Sequence, residues 1–163
     1  MRERMADKVE DEVEHVDLGR LGRALGFRFR RVQNKLARDF ATNTAGWKLR
    51  SGMFSSLEII SANPGISQAM LSTEVGLDKS AVVPLVDDLE KRGWVIRTRS
   101  QEDRRRNHLS ITEAGKAELD ALARMMDETE STALAVLTDE ERAVISRALD
   151  KVYDAYIRAS RGN

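Results

Sequence analysis

Between Ile66 and Ile111 the hydrophobic pattern changes its period, and few folds accept the order in which it does so. In ISQAMLSTEVGLDKSAVVPLVDDLEKRGWV, Ser67 is placed to cap a short helix carrying Ala69, Met70 and Val75, and Gly76 to end it in a left-handed conformation. Asp78 or Ser80 can cap a second helix with Val82, Leu85, Val86 and Leu89 on one face, stopping at Gly93. From Trp94 onward the period becomes two. Residues 94–99 and 108–111 read as the strands of a hairpin, with residues 100–107 as its tip.

The flanks are helical. Leu18, Leu21, Leu25, Phe29, Val32, Leu36 and Phe40 recur at steps of three and four, which predicts a helix of about 25 residues. Residues 51–62 predict a second helix with Met53, Leu57 and Ile60 inward, ended by Asn63-Pro64-Gly65. Thr112 caps a long segment with Leu119, Leu122, Met126, Leu134 and Leu137. Thr138-Asp139-Glu140-Glu141 is a capping box opening a last helix with Val144, Ile145, Leu149, Val152, Tyr156 and Ile157. The expected fold is therefore mainly α with a small β-hairpin wing: a winged helix-turn-helix, whose second helix is sized for the major groove, between N- and C-terminal dimerisation helices. The expected division is 1–45 (tail and dimerisation helix), 46–112 (winged domain) and 113–163 (C-terminal dimerisation helices). Residues 18–40 and 115–158 hold more apolar helical surface than one winged domain can cover, which predicts a homodimer.

Formal net charge is zero, yet the charges are unevenly spread. Residues 18–50 carry nine bases against one acid, Asp39, while residues 1–17 carry three bases against seven acids. At the hairpin, Arg97, Arg99, Arg104, Arg105 and Arg106 outnumber Glu102 and Asp103. A hairpin tip after a helix-turn-helix lies beside the duplex, where arginine suits bidentate phosphate contact or insertion into a narrow minor groove. Asp103 can brace a neighbouring guanidinium. Lys79, Ser80, Ala81, Val83 and Pro84, near the start of the second helix, are placed to meet base edges, the last three suiting thymine methyls. Val83 is equally well placed to pack inward. Ser67 and Gln68 are placed for phosphate. The expected partner is double-stranded DNA with a pseudo-palindromic operator, its half-sites about 10 base pairs apart.

Other classes have less to work with. There is no cysteine, and only His15 and His108, so no thiolate metal site, disulfide or histidine metal site is expected, and no cofactor. The first residues hold no apolar stretch of the signal type, and no run approaches the roughly 18 apolar residues of a membrane span, so a cytoplasmic protein without membrane contact is expected. The hydroxyls at Ser51, Ser55, Ser56, Ser72 and Thr73 have no histidine near them in sequence, and no phosphate-binding glycine loop or H-E-x-x-H occurs, so no enzyme is expected. The alternative is a winged-helix protein-interaction module that does not bind DNA. The arginine cluster argues against it, and a steep loss of affinity with salt separates the two.

The residues also resemble a family. Asp103, Arg105, Ile111 and Thr112 in the wing, and the junction Leu89-Glu90-Lys91-Arg92-Gly93-Trp94-Val95, are similar to the MarR-type transcriptional regulators. The resemblance covers nearly the whole chain. It implies a winged helix-turn-helix homodimer, often a repressor released by a small aromatic effector held between the dimerisation helices and the winged domain. Trp47, Arg50 and Phe54, with Arg28 and Arg31 on the basic first helix, are the candidates to hold such a molecule, an aromatic carboxylate or its thioester. Two positions depart from relatives that carry arginine or lysine on the recognition helix: this chain has Pro84 and Asp88 there. Pro84 is expected to bend or loosen the first turns. Organic-peroxide sensors resemble this chain in having that proline, but their cysteine chemistry does not carry over.

Overall fold

The computed structural model describes residues 16–99 and 107–161. The chain forms two compact units, Met1–Lys35 and Leu36–Asn163. In the first, a 3-10 turn, Gly19–Arg23, precedes α1, Leu25–Asn43, which runs on into the second. The expected helix from Leu18 is thus broken at Ala24, whose backbone is extended (φ −81°, ψ 109°). Gly19, Gly22 and Gly26 crowd this stretch, each costing about 1 kcal/mol against alanine inside a helix. Gly19 takes φ +53° and donates its N–H to the Asp17 carboxylate at 2.8 Å. Leu21, Leu25, Phe29 and Val32 of this unit are exposed.

In the second unit a 3-10 turn, Ala45–Trp47, leads to α2, Met53–Ala62. Then come β1, Ile66–Ser67, α3, Gln68–Val75, and α4, Lys79–Lys91. The hairpin strands β2, Val95–Arg99, and β3, Asn107–Ile111, follow, then α5, Glu113–Ala133, and α6, Asp139–Arg161. The local signals act as expected at most ends. Ser67 Oγ accepts from the Met70 N–H, Gly76 takes φ +70°, and Thr112 Oγ1 accepts from the Gly115 N–H. The capping box before α6 closes in both directions: Glu141 N–H donates to Thr138 Oγ1 at 3.2 Å and Thr138 N–H to Glu141 Oε2 at 2.9 Å.

The core gathers Met53, Leu57 and Ile60 of α2, Leu71 of α3, and Leu85, Val86 and Leu89 of α4. Trp94, Val95, Leu109 and Leu119 close it from the sheet and α5. Two features differ from the sequence reading. On α3 it is Leu71 and Ser72 that turn inward, while Met70 is 60% exposed. The inward Ser72 is tolerated because its hydroxyl donates to the Leu77 carbonyl at 2.6 Å, the condition for burying a polar group. The sheet also has a third strand, in the antiparallel order β1-β3-β2, with Ile66 opposite Leu109 and Ser67 opposite His108. Two residues are too few to show a period, so β1 left no pattern to read.

The wing is tied to the helices at its base. Thr112 donates its hydroxyl to Gly93 O at 2.6 Å and its N–H to Trp94 O at 2.9 Å. A side chain at Gly115 would collide with the Trp94 carbonyl and meet Ile111 Cγ1 at 2.8 Å, so only glycine lets α5 approach this closely.

Candidate nucleic-acid interface

Helix α4 divides its residues cleanly. Val82, Leu85, Val86 and Leu89 are buried, while Lys79, Ser80, Ala81, Val83 and Pro84 are all exposed, Val83 at 45%. Val83 therefore faces away from the core. The first turn is closed by backbone bonds alone, Ala81 N–H and Val82 N–H both donating to Asp78 O, and Asp78 makes no side-chain cap. Pro84 sits inside a continuous helix. Having no N–H, it leaves the Ser80 carbonyl without its usual helical donor, on the exposed side of the helix. Ser67, which caps α3, and Gln68 are half-buried.

The acids of α4 have partners. Arg97 of β2 reaches Asp87 at 2.6 Å and Glu90 at 3.2 Å, and its side chain is only 21% exposed. Arg97 is thus held against the recognition helix rather than extended outward, as its place in the wing had suggested. Asp88 lies 3.6 Å from Arg50 and 3.7 Å from Arg92. The carboxylates that distinguish this helix are balanced by Arg97 of β2, Arg50 ahead of α2 and Arg92 at the end of α4 itself, which softens their negative field. Asp103, Arg104, Arg105 and Arg106 lie outside the described residues.

The candidate effector residues fall into both units. Arg28 and Arg31 are exposed on α1 in the first. In the second, the Trp47 indole N–H donates to Glu118 Oε2 of α5 at 2.7 Å, Phe54 packs on Phe40 with ring centroids 5.3 Å apart, and Arg50 is largely exposed. A separate open cleft of about 500 Å³ lies between α1 and α5, lined by Asp39, Thr42, Asn43, Met125, Glu128 and Thr129 among others. None of the expected effector residues lines it. Glu118 and the bond from Asn43 Nδ2 to Thr129 Oγ1 (2.9 Å) had no sequence signal, since their partners lie far away in the chain. Arg92 stood within the junction to the wing, but nothing in that pattern indicated that its guanidinium donates to the Trp47 and Lys48 carbonyls. Among the described residues no group of side chains could hold a metal ion, and no helix is long and apolar enough to cross a membrane.

The MarR family model matches residues 49–106. A putative transcriptional regulatory protein for the hcr operon of Thauera aromatica is 31% identical over 156 residues, covering 94% of this chain and 93% of that protein. Among solved structures, the transcriptional repressor CouR bound to a 23-mer DNA duplex is 30% identical with a TM-score of 0.76, covering 85% of this chain and 99% of its own. CouR bound to p-coumaroyl-CoA is 28% identical with a TM-score of 0.74, covering 85% and 98%. These relatives regulate transcription; they are not enzymes. With the winged helix-turn-helix in place and these likenesses spanning nearly the whole chain, the protein belongs to the MarR family of transcriptional regulators.

Proposed function

We propose that this regulator is a homodimeric repressor that binds a pseudo-palindromic duplex and is released by a small anionic aromatic effector, a carboxylate or its thioester. The observation that carries the DNA part is the outer face of α4, where every residue expected at base edges is exposed while the opposite face fills the core. In this reading Ala81, Val83 and Pro84 meet thymine methyls, Lys79 and Ser80 supply donors, and Ser67 and Gln68 meet phosphate. Arg104, Arg105 and Arg106 at the wing tip contact phosphate or the minor groove, braced by Asp103, while Arg97 keeps the wing against α4. Residues 46–112 contact DNA, and residues 1–45 and 113–163 join the two copies. Exposed apolar residues on α6 and in the first unit support that second role, because apolar stripes of that kind call for a covering surface. The effector reading leans on the likeness to CouR with p-coumaroyl-CoA and on Trp47, Phe54 and Arg50 of one unit, while the candidates Arg28 and Arg31 belong to the other. Binding shifts the spacing of the recognition helices only as far as the ligand prefers the conformer that does not bind DNA.

The test is an anisotropy titration of the protein with duplex from upstream of its own coding sequence, across salt concentrations. Wild-type affinity falls steeply with salt, and Arg105→Ala lowers both affinity and the slope of log K against log salt, by about 0.9 for each phosphate that the variant no longer neutralises. An unchanged slope in Arg105→Ala rejects the wing assignment. Aromatic acids and thioesters that raise the melting temperature release the DNA, and Trp47→Ala with Arg50→Ala weakens that release. Ligand binding unaltered in those variants rejects the pocket and leaves the DNA reading standing.

A further inference from the structure

We propose that Arg92 is a positioning residue for DNA recognition, the group through which the loop at Trp47 and Lys48 sets the placement of α4 and the wing. It rests on the DNA-binding reading above and concerns how that surface is held. Arg92 is the C-cap residue of the recognition helix. Its guanidinium donates through Nη1 to the Trp47 carbonyl at 2.8 Å and through Nη2 to the Lys48 carbonyl at 3.1 Å. The same group lies 4.9 Å above the Trp94 ring, at the base of the wing, and 3.7 Å from Asp88 one helical turn back. One planar cation thus touches the loop, the recognition helix and the wing. A lysine cannot copy that: its ammonium is a compact charge without the rigid fork that reaches two carbonyls while its face rests on a ring.

The loop it grips is itself unusual. Lys48 has φ +50°, ψ +48°, and it is the non-glycine residue with positive φ among those described. Such a conformation persists only when its surroundings over-determine it, and it concentrates at segments that switch. The surroundings are visible on both sides. Arg92 holds the two carbonyls, the Trp47 indole is held by Glu118 of α5, and Arg50, just beyond, reaches the same Asp88 as Arg92. A change at Trp47 therefore has a polar route to the C-terminal end of α4 through one side chain, beside the packing of Trp47 against the apolar core.

The experiment uses the full chain labelled with 5-fluorotryptophan, its two tryptophan resonances assigned with Trp47→Phe, and titrated with the upstream duplex. In the wild type, DNA shifts the Trp47 resonance although Trp47 is not among the residues assigned to DNA. Arg92→Ala and Arg92→Lys each weaken DNA binding roughly tenfold, as expected when two hydrogen bonds that orient a recognition element are removed, and abolish the Trp47 shift. Their salt slope stays at the wild-type value, because every phosphate ligand is still present. Should Arg92→Ala fail to fold, Arg92→Lys carries the test. Variants that melt earlier but keep wild-type affinity and the Trp47 shift show a merely structural arginine and overturn the inference. So does a slope that falls by about 0.9 per subunit, which makes Arg92 a phosphate ligand. A wild type that binds no duplex sinks the DNA reading and this inference together, whereas binding with a silent Trp47 sinks only this one.

Discussion

Helices α4 and α6 carry similar apolar stripes with opposite fates. On α4, Val82, Leu85, Val86 and Leu89 are at most 3% exposed, covered by α3, α2 and the sheet. On α6, Val144, Ile145, Leu149, Val152 and Tyr153 stand 42–53% exposed, and Tyr156 more. The difference teaches that the winged domain covers its own apolar stripe within one chain, while the stripe of the last helix stays open among the described residues. A 3.6-residue stripe states that a surface must be covered; it does not say by which chain.

Substitutions on the two helices should break this pair in different ways. Leu89→Ala removes a fully buried side chain from a core with little room to collapse, so it should cost about 2–5 kcal/mol and lower the melting temperature of the whole winged domain. Urea unfolding followed by circular dichroism measures it, and a loss below about 1 kcal/mol would mean the α4 stripe is not the closed core described. Leu149→Asp should leave helical content intact but place a charge in the surface expected to join two copies. Sedimentation at micromolar protein should then report a monomer, with DNA affinity down by roughly 100-fold or more as two linked half-site contacts become independent. A dimer that survives the change would place the interface elsewhere. The smallest effect is expected at the start of α6, where Thr138→Ala removes the hydroxyl that accepts from Glu141 N–H and should cost about 1 kcal/mol. That loss should appear in the stability of the dimer, and if it appeared equally in a Leu149→Asp monomer, α6 would be stabilised within its own chain rather than by a partner.

The exposed face of α4 was legible in large part because its logic is local. The outward set Lys79, Ser80, Ala81, Val83 and Pro84 follows once the helical period and the inward residues of α4 are known, and Val83, which could have faced either way, is settled by its exposure. Arg97 was not legible. Its charge and place in the wing point at DNA, yet the packing of β2 beside α4 brings Asp87 and Glu90 within reach, and a nearby carboxylate captures a guanidinium whatever its position in sequence suggests.

What the sequence by itself determined is what depends on neighbours three to five residues apart. Ser67, Thr112 and Thr138 cap their helices, Gly76 and Gly93 end theirs, and the change of period after Trp94 makes strands. Each of these needs only backbone geometry and a side chain one turn away. Only the tertiary structure decided that Arg92 would grip Trp47 and Lys48, that Glu118 would hold the Trp47 indole, that Gly115 must be a glycine against Trp94, and that Ile66 and Ser67 would join the sheet. Those pairings close loops of tens of residues, and the free energy that closes them comes from burying the common core, to which every element contributes and which no single stretch of sequence encodes.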